Sequence, residues 1–170
     1  IDAVHLVTPI PLHAKQTIDV FQSGKHCACT VPMATSIKDL LEILKAQKKS
    51  NKVYMGMETA VYTRHFIYAQ EMLKNDKIGR IQLLRGAHYQ DMEKWPSYWM
   101  GLPPMHYATH AISPVLALAN THAKSVHCFG SGVMRKELIN QYNNPYPVET
   151  AIFELEYDTC LLYTSDAADE

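Results

Sequence analysis

The first 57 residues alternate between two apolar periods, strand-like and helix-like, and this alternation limits the possible folds more than any other feature of the chain. Asp2-Ala3-Val4-His5-Leu6-Val7-Thr8-Pro9 reads as a buried strand running into a turn. Pro11 suits a first helical position, Leu12, Ile18, Val20 and Phe21 supply the apolar positions of a helix, and Gly24 ends it. Residues 26–30 form a second short strand, closed by Pro32. Ser36 is an N-cap for the next helix, with Asp39 three residues on and Leu40, Leu41, Ile43 and Leu44 in one stripe. Lys48, Lys49 and Lys52 complement the dipole at its end, and Asn51 stops it. Residues 53–57 read as a third strand.

Strands joined by helical crossovers of about a dozen residues pair in parallel. The pattern therefore predicts an α/β fold in which residues 1–58 form the C-terminal half of a Rossmann-type parallel sheet. Such sheets bind ligands at the carboxyl ends of their strands, which puts Thr8, Pro9, Thr30, Pro32 and Glu58 along one crevice. The glycine-rich phosphate turn of a dinucleotide site is not in the chain, and Gly24-Lys25-His26 ends a helix instead of opening one. A segment carrying that turn is expected before Ile1.

Beyond Met57 the pattern changes. Residues 62–73 read as a helix ended near Gly79, and residues 80–89 as a strand. A long loop over 90–104 is rich in aromatics, including Trp95, Tyr98 and Trp99. A helix is expected from about His106 to Ala119, kinked at Pro114, followed by strands at 125–130 and 149–157. Residues 160–170 look like the translation of a sequencing adapter and stand outside the native fold in this reading.

Within that helix His106 and His110 are four residues apart and project from one face. Three readings are open: two surface histidines, a metal pair, or a proton-transfer residue with a partner that orients it. The glutamate of a His-Glu-x-x-His metal site is absent, since Tyr107 stands in its place. A metal reading would need His88 or Asp91 as a further ligand, and no metal is assigned. The 16 basic and 17 acidic residues argue against nucleic-acid or membrane-surface partners. Cys27, Cys29, Cys128 and Cys160 form no Cys-x-x-Cys pair, and reduced thiols in a cytoplasm are expected. Cys27 and Cys29 read as small core residues.

Three stretches in this order resemble the Gfo/Idh/MocA family of nicotinamide-dependent oxidoreductases. They are Asp2-Ala3-Val4 to Thr8-Pro9 with Leu12-His13, Gly24-Lys25-His26 to Pro32-Met33-Ala34, and Lys77-Ile78-Gly79-Arg80-Ile81. The second is similar to the family's Gly-Lys-His-x-x-x-Glu-Lys-Pro-x-Ala, with Thr30 and Val31 where Glu and Lys stand. The resemblance implies NAD or NADP as cofactor, held in part by Thr8, Pro9, His13, Thr30, Pro32 and Glu58. It also implies that residues 59–159 are part of an α+β second domain with an open, mostly antiparallel sheet, which in a full-length parent serves a homo-oligomer.

The family commonly carries an Asp-xxx-His-xx-Asp helix whose histidine is an acid/base; His110 matches that histidine, His106 the first aspartate and Ser113 the second. The resemblance thus implies oxidation of a sugar, polyol or related hydroxylated metabolite, with His110 as acid/base and His106 orienting it. Tyr62, Arg64, His88, Tyr89 and Trp99 are candidates to line the substrate pocket. Val31 at the lysine position leaves a second reading, a sugar- or nucleotide-binding sensor of the same fold that does no chemistry.

Overall fold

A computed structural model of the chain describes residues 1–92, 94–139, 142–156 and 160–166, the last stretch as backbone alone. The chain divides into two compact units, Ile1–Glu58 and Thr59–Glu170.

In the first unit, strands β1 (Ala3–Leu6), β2 (His26–Thr30) and β3 (Tyr54–Met57) pair in parallel in the order β1-β2-β3. Leu6 lies opposite Cys29, and Cys29 opposite Gly56. The crossovers are helices α1 (His13–Gln22) and α2 (Ile37–Ser50). Pro11 lies in a short 3-10 turn, Ile10–Leu12, that leads into α1, where its fixed φ and missing N–H carry no penalty. Ser36 caps α2: its Oγ accepts from the Asp39 N–H at 3.1 Å and donates to the Asp39 carboxylate at 2.7 Å. Asn51 ends α2 in the left-handed conformation, φ 54°. The helices bury Val20, Phe21 and Ile43 against Leu6, Cys27 and Cys29. Removing Phe21 or Ile43 from water stabilises the unit by about 1.5–3 kcal/mol each. Cys27 and Cys29 are the small core residues expected, and burial pushes both thiols up.

The second unit opens with a 3-10 turn at Thr59–Tyr62, and helix α3 runs over Arg64–Lys74, two residues later than the periodicity indicates. Strand β4 (Leu83–Tyr89) also starts late, because pairing begins only where a neighbour runs beside it, at Leu83 opposite Cys160. Helix α4 (Thr109–Ala119) carries Pro114 inside it and ends on Asn120, φ 50°. Strands β5 (Ala123–Ser131), β6 (Val148–Leu155) and β7 (Cys160–Asp166) complete a sheet ordered β4-β7-β6-β5. The β4–β7 ladder is parallel and the other two ladders antiparallel, so the sheet is mostly antiparallel, as expected. The backbone of β7, which stands apart in the sequence as an adapter-like tail, runs between β4 and β6; its Leu161, Leu162, Tyr163 and Thr164 are residue types that favour strands.

Helix α4 packs on one face of this sheet, joining Ala108, Ala111 and Val115 to Ala151, Phe153 and Leu155. The approach is close at Gly86 of β4, where a Cβ would stand 2.4 Å from the Ala111 carbonyl oxygen. Leu83, Tyr89, Phe129 and Ile152 are exposed.

Candidate functional site

In the first unit the carboxyl ends of the strands form a crest, and hydrogen bonds gather several of the expected residues there. Thr8 follows β1, Thr30 ends β2, and Glu58 follows β3. His13, in the first turn of α1, is 1% exposed; its Nδ1 lies 2.7 Å from the Pro32 carbonyl oxygen and its Nε2 2.8 Å from that of Thr8. The Thr30 hydroxyl is 3.5 Å from the same Nε2, and the Thr8 hydroxyl donates to Gln16 at 2.6 Å. Pro9 opens the turn into α1, its carbonyl accepting from the Leu12 N–H at 2.9 Å. His13 thus supports the crest from inside. Its two ring nitrogens face backbone of its own unit.

The polar groups at the crest are the hydroxyls of Thr8 and Thr30 and the Glu58 carboxylate. They suit the ribose hydroxyls and carboxamide of a nicotinamide nucleoside, which offer both donors and acceptors. A pyrophosphate needs a cradle of backbone N–H groups at a glycine-rich turn, and these residues contain none.

In the second unit, His106 and His110 do not share a helix. Helix α4 begins at Thr109, and His106 lies in a separate 3-10 turn, Pro104–Tyr107. Two consecutive prolines, Pro103 and Pro104, disfavour helical conformation in the residue before each and postpone the α-helix. His110 Nε2 meets the Tyr107 hydroxyl at 3.0 Å. His106 instead packs edge-on against Tyr142, centroids 6.3 Å apart, with its Nδ1 buried and unpartnered among the described residues. Burial holds its imidazole below the usual histidine range.

Around His110 the rings form a contiguous cluster. His88 meets it edge-on at 5.3 Å and Tyr107 at 5.0 Å, and Trp99 meets Tyr107 at 5.0 Å. Trp95 stands 5.1 Å from Trp99. Strand alternation explains who takes part: His88 shares the α4 face of β4 with Leu84 and Gly86, and Tyr89 is on the opposite face, 59% exposed. Tyr89 therefore does not join the cluster. The turn bearing Tyr62 packs against α4, and Tyr62 and Arg64 are both exposed. Of the five residues expected to line the pocket, His88 and Trp99 stand in the ring cluster around His110.

Two further residues emerge from the structure. Tyr107 is three residues before His110, a spacing that puts side chains within reach and that attention to the histidine pair passes over. Glu149 on β6 is half-buried, and its carboxylate accepts the Met105 N–H at 2.7 Å, tying the sheet to the turn that carries His106 and Tyr107. Burial pushes its carboxyl up, against the pull of that hydrogen bond. No sequence signal links positions so far apart. Among the described residues no group of three or more His, Cys, Asp or Glu is arranged to hold a metal ion, and no helix is long and apolar enough to cross a membrane.

The fold has counterparts among known proteins. The chain is 28% identical over 131 residues to glycosyl hydrolase family 109 protein 1 of Bacteroides thetaiotaomicron, covering 72% of this chain and 28% of that protein. A probable dehydrogenase from Thermotoga maritima superposes with a TM-score of 0.83 at 16% identity, covering 99% of this chain and 51% of that one. The myo-inositol 2-dehydrogenase of Lactobacillus plantarum superposes at 0.79 with 18% identity, covering 99% and 52%. The chain spans about half the length of these solved structures and under a third of the curated relative. Residues 1–57 match the GFO_IDH_MocA family, an oxidoreductase family with an NAD-binding Rossmann fold.

Proposed function

We propose that this chain is part of an NAD(P)-dependent oxidoreductase acting on a sugar, polyol or related hydroxylated small molecule in a reducing cytoplasm. The observation that carries the proposal is the Tyr107–His110 pair, Nε2 to hydroxyl at 3.0 Å, set among His88 and Trp99. When bound, a nicotinamide would supply the hydride acceptor for the substrate carbon. His110, its ring held by the hydrogen bond between Nε2 and the Tyr107 hydroxyl, takes the proton from the substrate's hydroxyl oxygen on its other nitrogen, while the flat faces of Trp99 and Tyr107 suit the C–H face of a sugar ring. Thr8, Thr30 and Glu58 would hold the nicotinamide ribose and carboxamide. Oligomer formation through the second unit's open sheet belongs to the same proposal.

In a protein carrying this chain within the full length of its relatives, His110→Ala is expected to lower turnover by about 100- to 10,000-fold, the usual worth of a positioned acid/base. Tyr107→Phe is expected to lose less, since the histidine remains. Unchanged turnover in His110→Ala on a proven substrate sinks the assignment.

The glycosyl hydrolase family 109 relative supports a second reading of the substrate, a glycoside in place of a free sugar or polyol. Release of the aglycone from an aryl glycoside, with no net reduced nicotinamide, would favour it. Val31, an aliphatic side chain with no proton to give where the family has lysine, supports the sensing alternative.

A further inference from the structure

The ladder between β5 and β6 closes at Ser131 opposite Val148, and the connection between the two strands is anchored at its base. Met134 is buried, and its N–H donates to the Pro145 carbonyl at 2.9 Å. Asn144, also buried, donates from Nδ2 to the Tyr146 carbonyl at 2.6 Å and accepts the Tyr146 N–H on Oδ1 at 3.1 Å. The ring of Tyr146 lies over Gly130, in space that a Cβ there would need. From this base Tyr142 reaches two neighbouring turns. Its hydroxyl donates to the Tyr98 carbonyl at 2.9 Å, and its ring meets His106 edge-on with centroids 6.3 Å apart. Tyr98 lies in the 3-10 turn Ser97–Trp99 and His106 in the 3-10 turn Pro104–Tyr107. The contact that joins these turns within the ring cluster is Trp99 against Tyr107 at 5.0 Å. Single 3-10 turns have poor internal hydrogen bonds and hold their place through what they touch.

We propose that Tyr142 is a positioning residue that clamps the aromatic loop to the turn bearing His106 and Tyr107, and so holds Trp99 in place as a wall of the ring cluster beside His110. It acts through the Tyr98 backbone and the His106 ring. The hydroxyl supplies the directional part of the clamp and the ring the packing part, so the two can be separated by substitution. Its bearing on substrate rests on the ring cluster being the substrate site, as proposed above; the clamp itself does not.

The test is Tyr142→Phe, which keeps a ring beside His106 and removes the hydroxyl, in a protein carrying this chain within the full length of its relatives. With no substrate or cofactor added, amide hydrogen exchange in peptides covering residues 97–102 is expected to quicken by about 2- to 13-fold, the worth of one neutral hydrogen bond, while peptides of β5 and β6 exchange at the wild-type rate. Tyr68→Phe, which removes an exposed hydroxyl on α3, is expected to change neither. Unchanged exchange at 97–102, or an equal rise in β5 and β6, overturns the clamp. On a substrate that the wild type turns over, Tyr142→Phe is expected to raise KM by a factor in the same range with kcat held, because bound substrate itself closes the loop. An unchanged KM overturns the positioning role, whether or not kcat falls. A wild type that turns over no substrate is a failure of the oxidoreductase reading, and the exchange result still decides the clamp.

Discussion

His106 and Glu149 titrate in opposite senses although they serve the same turn. The imidazole of His106 is held below its ordinary value, so the folded chain binds that proton more weakly than the unfolded chain does. Its contribution to stability is intact above about pH 6.5 and is lost as pH falls toward the depressed folded value. Glu149 is held above its ordinary value, so the folded chain binds that proton more tightly, and the cost of its buried charge disappears as pH falls through the raised value. In thermal melts between pH 8 and pH 5, His106→Gln is expected to remove a destabilisation that grows toward acid. Glu149→Gln, which keeps an acceptor for the Met105 N–H, is expected to raise Tm at neutral pH and to lose that gain in acid. A Glu149→Gln gain that grows toward acid contradicts this account. At this scale the sequence shows which groups can move protons and not which atoms meet: the i+4 spacing pointed from His110 to His106, and the contact goes to Tyr107 because Pro103 and Pro104 delay the helix.

At the scale of elements, caps and periods made the first unit readable. Ser36, Asn51 and the apolar stripe of α2 are local signals, and parallel pairing follows from the crossover length. The second unit was legible in its element types and less so in its boundaries, since β4 and β6 are delimited by neighbours far along the chain and not by turn residues of their own. Gly86 shows the same limit: it reads as a weak spot in a strand, and its reason is the Ala111 carbonyl of α4. Gly86→Ala is expected to push α4 off β4 and to cost about 1–3 kcal/mol, the usual penalty of overpacking, measured by chemical denaturation. At Gly56, where an added Cβ would meet only Tyr54 at 3.7 Å, the same substitution is expected to be nearly neutral. Equal effects at the two glycines would contradict the close approach.

For the whole molecule, the order of motifs carried more than any single one. Thr8-Pro9, Pro32-Met33-Ala34 and Ile78-Gly79 are each commonplace, and together with the alternation of periods they pointed to the family that residues 1–57 match. The aromatic cluster lay in the loop that has no period to read, and only the folded chain brings Trp99, Tyr107, His88 and His110 together. The account's central claim is hydride transfer to a nicotinamide from a hydroxylated substrate. The most direct test is absorbance at the reduced-nicotinamide band when a protein carrying this chain within its relatives' full length is mixed with NAD+ or NADP+ and a panel of sugars and polyols. The account predicts a substrate-dependent rise in absorbance with at least one member of the panel. Saturable binding of a sugar or polyol with no absorbance change under any combination would contradict it and point to the sensing reading.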